Sequence, residues 1–565
     1  MTDIRLPLVR NAPPDAVWFL PLGGTGEIGM NLNVYGCDGK WIAVDMGVTF
    51  GDDSIPGVDV VMADPLFLEE QAENLLAIVI THAHEDHLGA VGYLWPDLRV
   101  PVYATPFAAA FLGYKLKEER LEKEVPVNVV PLGGRIEIGP FDIEFVSMTH
   151  SIPEPNLLVI RTRHGTIVHT GDWKLDPEPL IGEEADTKRL REIGDEGVLA
   201  VISDSTNILN KGHSGSEGEV RRSLVEEFKK YPDGKIAVAC FASNVARVES
   251  VAHAAHANGR KVVLVGRSLW RILETSRKAG YLEAAGPFLE AEDAKHLTDR
   301  QICYICTGSQ GEPRAALNRI AWGHHPYVDL GKGDVCFFSS RVIPGNEKSI
   351  FRLHNQLVRN GVQLITDREA FIHVSGHPAQ EEVAELYRLL RPRIVIPVHG
   401  EARHLQEHSD FALNMGVPFT KIVTNGQAVH LHADGPKLVG EAPIGRLTLE
   451  GDRIVPLDSP ILRDRKRMVE NGAAVVTLVM NGKGGLVQDP LVTTHGLFNP
   501  EHEDDDDTDA LLVAVVRSAV SRLDSRERKD DAAVREMVRR AIRKAFHTDQ
   551  KRKPLTDVHL VRLSS

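Results

Sequence analysis

The segment THAHEDH (81–87) constrains the fold more than any other part of the chain. It follows the apolar run LLAIVI (75–80), which predicts a buried β-strand. After that strand, four side chains that can ligate a metal fall within six residues (82–87): His82, His84, Asp86 and His87. Imidazole and carboxylate are ligands that zinc prefers at catalytic sites. In a strand-to-helix turn, the first two can point at one metal, and the other two can reach a second metal beside it.

Three further candidate ligands close other predicted strands. His150 ends FDIEFVSMTH, Asp172 ends TIVHTGD and His399 lies near the end of RIVIPVHG. Each alone is more commonly a structural residue, but with the first motif they make seven ligands for two open sites. A metal pair activates a bridging hydroxide and stabilises the charge that develops in an in-line displacement. The chain also holds 24 histidines among 565 residues, a high count.

Composition excludes several classes of protein. Apolar residues make up 42% and charged residues 25%, which is typical of globular domains and excludes a disordered chain or a coiled-coil rod. Five cysteines exclude a disulfide framework and favour a reducing compartment. No apolar run reaches the ~18 residues of a membrane span, and the N-terminus lacks a signal-peptide pattern, so we expect a cytoplasmic protein without membrane contact. The net charge of −14 means that any nucleic acid would need a local groove.

The pattern of predicted elements changes along the chain. Short strands dominate the first part, and then helices alternate with buried strands such as KIAVACF (235–241), which predicts a parallel α/β unit. Strand-end histidines return near residue 371. The predicted division is a first domain part at 1–215, an inserted domain at 216–370, a second part at 371–450, a linker at 451–475 and a C-terminal domain at 476–565.

Two motifs resemble functional sites but are better explained as structural features. GTGEIG (24–29) matches a dinucleotide fingerprint, but that fingerprint requires a helix directly after the glycines. The next residues predict two strands around a Cys-Asp-Gly turn, which favours a tight strand connection instead. Cys303 and Cys306 lie within an apolar strand run and are predicted to be buried, without a redox or zinc role.

The ligand pattern resembles the metallo-β-lactamase fold in its β-CASP nuclease branch, in which a second α/β domain is inserted. Further motifs agree: SDSTN (203–207), HVSGH (373–377) and PVHG (397–400). More narrowly, GGTGEIGMN, HEDHLGA, THSIPE, TGDWK, TGSQGEP and HVSGH together resemble the bacterial ribonuclease J family. The resemblance covers about 15–460. It implies an α/β fold: an αββα sandwich, an inserted β-CASP domain and a small C-terminal α+β domain.

The resemblance also implies a role for each candidate at the centre. One metal would be held by His82, His84 and His150, the other by Asp86, His87 and His399, and Asp172 would bridge them. The catalytic residues would be His377 as general acid, Asp204 as the carboxylate that orients it, and Asp86. The expected cofactors are two zinc ions per subunit, with manganese or magnesium as alternative working metals.

Two segments resemble sites that hold RNA phosphates. In His373, Val374, Ser375, Gly376 and His377, a hydroxyl and backbone N–H groups precede a predicted helix, where an anion can bind. The histidines could instead be plain helix-entry residues. Ser243 and Asn244 open another helix, and their alternative role is a simple helix cap. The resemblance further implies a structural calcium site at Gly57, Asp59 and Asp452.

The function that the resemblance implies is a two-metal ribonuclease acting on single-stranded RNA, from the 5′ end and also internally. A metal-activated hydroxide would attack the phosphodiester, with preference for a 5′-monophosphate, in rRNA processing and mRNA turnover. The expected partners are further copies of the chain, as a homodimer or homotetramer, and an RNA-degradation complex. Two alternatives stay open: a small-substrate metallo-hydrolase such as a thioesterase or lactonase, and a non-catalytic RNA-binding or scaffold subunit.

Overall fold

The structure is a computed structural model that describes residues 6–51, 54–497 and 506–563. The chain divides into two compact units, one of residues 1–49 and 61–447 and one of residues 50–60 and 448–565. Within the described residues, every helix is too short or too polar to span a lipid bilayer.

The first part of the chain, up to residue 204, is mostly strand. Its elements are β1 (Val17–Gly23), β2 (Thr25–Gly26), β3 (Leu32–Cys37), β4 (Lys40–Val44), β5 (Val48–Phe50), β6 (Val60–Ala63), α1 (Leu66–Glu70), β7 (Leu75–Val79), α2 (Glu85–Leu88), α3 (Val91–Leu98), β8 (Val102–Ala104), α4 (Pro106–Glu118), β9 (Val127–Val129), β10 (Arg135–Ile138), β11 (Phe141–Ser147), β12 (Asn156–Thr162), β13 (Gly165–His169), α5 (Thr187–Glu196) and β14 (Ala200–Asp204).

Helices and strands alternate in the middle of the chain. The elements are α6 (Glu217–Lys229), β15 (Ile236–Ala239), α7 (Val245–Ala257), β16 (Lys261–Val265), α8 (Arg267–Lys278), β17 (Phe288–Glu290), β18 (Ile302–Cys306), α9 (Ala316–Ala321), β19 (Val335–Phe338), α10 (Glu347–Arg359) and β20 (Gln363–Ile365). The chain continues with α11 (Gln380–Leu390), β21 (Ile394–Val398), β22 (Gly400–Glu401), α12 (Ala402–Asn414), β23 (Phe419–Thr420), β24 (Gln427–His430), β25 (Lys437–Glu441) and β26 (Arg446–Glu450).

Two sheets packed face to face form the body of the first unit. One has eight strands in the order β25-β24-β1-β3-β4-β7-β8-β9, and the other has seven in the order β10-β11-β12-β13-β14-β21-β23. Their inner faces share one apolar core, which includes Phe19 and Tyr35 from the first sheet and Phe145 and Ile396 from the second. Alternating apolar positions on each strand supply these inner faces.

Helices cover both outer faces of the sandwich. Leu190 of α5 and Val383 of α11 pack on the seven-stranded sheet, in a core that includes Val201 of β14. On the other side, Phe67 of α1 meets Trp41 of β4 edge to face, with ring centroids 5.3 Å apart. The layers therefore follow the predicted αββα order.

The inserted domain is built on one sheet of six parallel strands in the order β17-β16-β18-β15-β19-β20. All six strands lie within the predicted insertion at 216–370. Cys303 and Cys306 both lie on β18 and are fully buried, as predicted.

The second unit contains β27 (Arg453–Pro456), α13 (Pro460–Asn471), β28 (Ala473–Asn481), β29 (Leu491–His495), α14 (Asp506–Arg522), α15 (Asp531–Gln550) and β30 (Leu555–Leu563). β28 pairs with β29 antiparallel and with β30 in parallel. Apolar residues of the two long helices, such as Val516 and Val538, share a core with Val476 of β28. This arrangement is the expected small α+β domain.

The segment predicted as a linker, residues 451–475, is structured. It contains β27, α13 and the first residues of β28. Only Leu462 of α13 is buried, and half of the twelve residues are charged, so the sequence gives little sign of a helix that packs on a core.

Candidate active site

The structure brings the seven predicted metal ligands together where strands of the two sheets end. His82 follows β7, His84 caps α2, Asp86 and His87 lie in α2, His150 follows β11, Asp172 follows β13 and His399 follows β21. They form two groups whose potential ligand atoms lie within 4.8 Å of one another, namely His82, His84, His150 and Asp172, and Asp86, His87, Asp172 and His399. Asp172 belongs to both groups.

The first group presents three imidazole nitrogens to one point. Nε2 of His82 and Nε2 of His150 each lie 3.1 Å from Nδ1 of His84. Burial lowers the pKa of His82 and of His84 well below the usual value, and it lowers the pKa of His150 to about 3. The three rings are therefore neutral near pH 7 and have lone pairs for a cation.

The second group is rich in carboxylates. Nε2 of His87 lies 3.2 Å from Oδ2 of Asp172, and Nε2 of His399 lies 3.5 Å from the same oxygen. Burial lowers the pKa of His87, but Asp172, Asp86 and Asp45 outweigh it and hold that pKa well above its usual value. The carboxylates thus favour positive charge at this point, which a proton or a metal can supply.

One oxygen of Asp172 indicates whether these residues are suited to bind a metal. Oδ1 of Asp172 is buried and has no hydrogen-bond partner in the described part of the chain. A buried carboxylate oxygen without a partner is costly, and a cation is the kind of partner that removes this cost. The donor set, five histidines and two aspartates, suits zinc or manganese. The residues therefore fit the implied metals.

Asp45 and Thr81 fix the ring orientation of two candidate ligands, and the sequence analysis did not identify either residue. Oδ2 of Asp45 lies 2.7 Å from Nδ1 of His87 and accepts the hydroxyl of Thr81 at 2.8 Å. Because that hydroxyl proton is used, Oγ1 of Thr81 accepts from Nδ1 of His82 at 3.0 Å. Both histidines therefore carry a proton on Nδ1, which leaves Nε2 as the atom directed to the centre, as is common among metal-ligating histidines.

Asn31 and the backbone carbonyl of Gly376 fix the ring orientation of two more candidate ligands, His399 and His150. Nδ1 of His399 donates to Oδ1 of Asn31 at 3.0 Å, and Nδ1 of His150 donates to the carbonyl of Gly376 at 2.5 Å. Nδ2 of Asn31 in turn donates to the carbonyl of Asp86. The sequence signals were weak, since Asn31 is one polar residue in a glycine-rich loop and Asp45 is one carboxylate after β4.

The glycine-rich segment 24–29 leads into a strand, as predicted. β2 pairs in parallel with β22, and the next element is β3. The carbonyl of Gly24 accepts the backbone N–H of His399 at 2.8 Å. This tight connection therefore supports the loop that carries a candidate ligand.

His377 and Asp204 lie beside the two groups. Nδ1 of His377 lies 2.8 Å from Oδ2 of Asp204 and 3.9 Å from Oδ2 of Asp172. Burial lowers the pKa of His377, but the charges of Asp204 and Asp172 outweigh it and raise that pKa to about 9. The imidazole is thus protonated near neutral pH, and its Nε2–H is not used by Asp204.

The HVSGH loop, residues 373–377, is held by several hydrogen bonds. Oγ of Ser375 accepts the N–H of His377 at 3.1 Å, so that hydroxyl oxygen orders the loop. Arg247, which is fully buried, donates to the carbonyl of Ile372 at 3.0 Å and to Nδ1 of His373 at 3.3 Å. Val374 is buried, whereas Ser375 and Gly376 are partly exposed.

Two further sites were predicted, one for an RNA phosphate at Ser243 and Asn244 and one for calcium at Gly57, Asp59 and Asp452. Oδ1 of Asn244 accepts the N–H of Arg247 at 2.8 Å and caps α7, so its cap role is present, while Ser243 stays partly exposed. Asp59 and Asp452 do not belong to any cluster of three or more His, Cys, Asp or Glu side chains within residues 6–51, 54–497 and 506–563. Calcium at Gly57, Asp59 and Asp452 stays a prediction.

Comparisons with known proteins identify the family of the chain. Four family models match: the metallo-β-lactamase superfamily over 38–229, the ribonuclease J β-CASP domain over 233–357, the Zn-dependent metallo-hydrolase RNA specificity domain over 361–419 and the ribonuclease J C-terminal domain over 460–563. A ribonuclease J of Sinorhizobium meliloti is 44% identical over 98% of this chain and 98% of its own length. The chain belongs to the ribonuclease J family.

Two further matches have lower sequence identity. A ribonuclease J of Thermus thermophilus is 36% identical over 86% of this chain and 85% of its own length. Among solved structures, a protein of unknown function from Enterococcus faecalis V583 has a TM-score of 0.53 and 16% identity, over 74% of this chain and all of that one. The latter shows a common fold alone.

Family membership decides between the alternatives of the sequence analysis. The chain is a metal-dependent ribonuclease with a metallo-β-lactamase domain, an inserted β-CASP domain and a C-terminal ribonuclease J domain. A thioesterase or lactonase of the same fold is therefore not the function, and the substrate is RNA.

Proposed function

We propose that this ribonuclease hydrolyses single-stranded RNA stepwise from a 5′-monophosphorylated end and also cuts internally. The observation that carries the proposal is one buried carboxylate, Asp172, shared by two ligand groups and flanked by His377. This arrangement suits an in-line displacement at phosphorus, in which the attacking and leaving oxygens both need stabilisation. The names of the relatives and the RNA specificity model support RNA as the substrate.

The two ligand groups would hold one cation each, and zinc is the proposed metal because five of seven ligands are imidazoles. Manganese and magnesium are the alternatives. When bound, the cations supply positive charge that activates water and stabilises the reacting phosphate.

His377 is proposed as the general acid. Asp204 holds its Nδ1–H, and the raised pKa keeps a second proton on Nε2 at neutral pH. That proton would pass to the leaving 3′ oxygen as the phosphodiester bond breaks. The remaining strand then keeps a 5′-phosphate, so each product is a new substrate of the same kind.

Two loops are proposed to hold RNA phosphates. Residues 373–377 lie next to the general acid, and the partly exposed backbone of Ser375 and Gly376 can face a phosphate. Ser243 at the start of α7 would bind a second phosphate with Asn244, whose amide Nδ2 is a further donor. The net charge of −14 makes such local contacts necessary, since long-range attraction of RNA is weak.

The wider role proposed for the protein is cytoplasmic RNA maturation and decay, including rRNA processing and mRNA turnover. It would work as a homodimer or homotetramer, in some cases within an RNA-degradation complex. The proposed boundaries are those of the sequence analysis, with the C-terminal domain extended back to α13.

The test compares one RNA sequence with three 5′ ends, namely monophosphate, triphosphate and hydroxyl. We expect fast release of nucleoside 5′-monophosphates from the monophosphorylated RNA and internal cuts in the triphosphorylated RNA. A chelator should stop both, and added Zn²⁺ or Mn²⁺ should restore them. Equal rates for all three ends would overturn the 5′-monophosphate preference, and internal products alone would overturn the exonuclease.

A further inference from the structure

A second cluster of metal-ligating side chains lies in the first unit, away from the centre described above. Potential ligand atoms of Cys37, Asp38 and His164 all lie within 4.8 Å of one another. Nε2 of His164 is 3.2 Å from Oδ1 of Asp38. Cys37 is fully buried, whereas the side chains of Asp38 and His164 are about one quarter exposed, at 27% and 22%. One side of the cluster is therefore open to solvent.

Two tight hairpins position this cluster. Cys37 ends β3 and pairs with Lys40 across a turn in which Asp38 has a positive φ of 49° and Gly39 one of 77°. Such Asp-Gly turns fix the register of a hairpin. The ligands on both hairpins are therefore placed before any ion arrives.

His164 lies in the turn between β12 and β13. Thr162 pairs with Gly165 there, and the N–H of His164 donates to Oγ1 of Thr162 at 3.1 Å. β3 belongs to the eight-stranded sheet and β12 to the seven-stranded sheet. The cluster thus joins the two sheets at one end of the sandwich.

We propose that Cys37, Asp38 and His164 form a second metal site, which binds a thiophilic divalent cation of the zinc class with solvent as the fourth ligand. Thiolate, imidazole and carboxylate are the three protein ligand types of zinc. A thiolate is also the ligand that separates zinc from magnesium and calcium, which prefer oxygen. A bound cation would cross-link the end of β3 in one sheet to the turn between β12 and β13 in the other.

Arg163 competes with the cation for these ligands. Its Nη2 lies 2.8 Å from Oδ1 of Asp38, and its Nε lies 3.2 Å from Nε2 of His164. The Arg163 side chain is 62% exposed, so the guanidinium can turn to solvent when a cation arrives. Because Arg163 competes for these ligands, a smaller side chain at position 163 should increase the affinity of the site for the cation.

This site is independent of the proposed catalytic function. β4 runs from Lys40, beside the cluster, to Asp45 at the active site, and five strand residues alone span about 16 Å. None of the seven candidate catalytic ligands is a cysteine, and the other four cysteines are buried in the inserted domain. A metal–thiolate signal therefore reports this cluster separately from the catalytic metals.

The experiment is a titration of the full chain with Co²⁺, followed by absorption. Co²⁺ bound to a thiolate gives an intense near-ultraviolet charge-transfer band, which imidazole and carboxylate ligands do not give. We expect the band in the wild type and in a Cys303→Ala control, and its loss in Cys37→Ser. His164→Ala should weaken the affinity by more than the roughly 10- to 100-fold typical for loss of an outer partner, because His164 would contact the ion directly.

Zinc content gives a second readout. Cys37→Ser should hold one zinc fewer per chain than the wild type and should cleave RNA at the same rate. Arg163→Ala should bind Co²⁺ more tightly. No band in the wild type, a band that survives Cys37→Ser, or weaker binding in Arg163→Ala would each overturn the proposal, the last because Arg163 would then support the ligands instead of competing with the ion.

Discussion

Nδ1 of His377 lies 2.8 Å from Oδ2 of Asp204, across 173 residues of sequence. Asp204 is fully buried at the end of β14, while His377 lies in the loop before α11. A buried carboxylate on one face of an imidazole fixes its tautomer and keeps the opposite nitrogen available for proton transfer. The pair thus has the geometry of an oriented general acid.

The first prediction concerns His377→Ala. Loss of a general acid lowers the rate of the chemical step by roughly 10²- to 10⁴-fold, whereas metal content should not change. Single-turnover cleavage of 5′-monophosphorylated RNA and elemental analysis measure the two quantities. His324→Ala, at an exposed histidine, is the matched control. Since His377 also lies within 4.8 Å of Asp172 and His399, a loss of metal would instead make it a ligand.

The second prediction concerns Asp45→Asn. Asp45 accepts at both oxygens, at Oδ2 from Nδ1 of His87 and the Thr81 hydroxyl and at Oδ1 from the Thr81 backbone N–H at 2.8 Å. An amide has only one accepting oxygen, so in Asp45→Asn one of these positions carries an NH₂ group that opposes a donor, and the contacts that orient the rings of His87 and His82 are disturbed. Loss of such an outer partner typically weakens metal binding by about 10- to 100-fold. Competition with a chelator measures it, and Asp97→Asn, at an exposed position, should match the wild type. Unchanged affinity in Asp45→Asn would show that the strand ends alone orient the rings.

The sequence indicated the candidate ligands because each follows an apolar strand or lies within the segment 81–87 directly after one, a pattern that is visible locally. It did not predict Asp45 and Asn31, since their contacts are set by strand pairing over long separations. Asp45 reaches His87 only because β4 lies beside β7 in the sheet. Asn31 reaches His399 across 368 residues. A single polar residue after a strand does not show which distant side chain it will meet.

The secondary structure of residues 451–475 was not apparent from the sequence for a different reason. Helix α13 has six charged residues among twelve and buries only Leu462, so its sequence does not indicate a helix that packs on a core. One signal was present, because Ser459 followed by Pro460 is a common start of a helix. The Gly and Pro residues on either side obscured it.

The third prediction concerns Glu217→Gln. Glu217 accepts both of its hydrogen bonds from Nη2 of Arg247 at 3.1 Å, and both residues are buried. Removing one charge of a buried pair costs about 3–5 kcal/mol, because the other charge is left uncompensated. Urea denaturation measures the loss, with Glu219→Gln, an exposed position on the same helix, as the control.

Arg247 also holds residues 372 and 373, so the same variant should raise the KM for RNA if that loop binds phosphate. A variant as stable as the wild type would show that the pair contributes nothing net. Lower stability with an unchanged KM would separate the ion pair from RNA binding.

The last prediction is a pH dependence at Glu144. The bidentate hydrogen bond from Arg189, with Nε–Oε1 at 2.6 Å and Nη2–Oε2 at 3.0 Å, lowers the pKa of Glu144, and Arg161 lowers it further against the effect of burial. A carboxyl whose pKa is lower in the folded state stabilises the protein above its unfolded pKa, and this contribution is lost as pH falls through the folded pKa.

The Glu144→Gln variant should therefore be less stable than the wild type by about 1.5–3 kcal/mol at pH 7. The difference should begin to shrink as the pH falls below about 4.3, the ordinary pKa of a Glu carboxyl in the unfolded chain, and should be lost as the pH falls through the lower folded pKa. Urea denaturation at several pH values measures it, and Glu137→Gln, at an exposed position on the neighbouring strand, should show no such trend. A difference that stays constant across pH would mean that Glu144 acts through packing instead of charge.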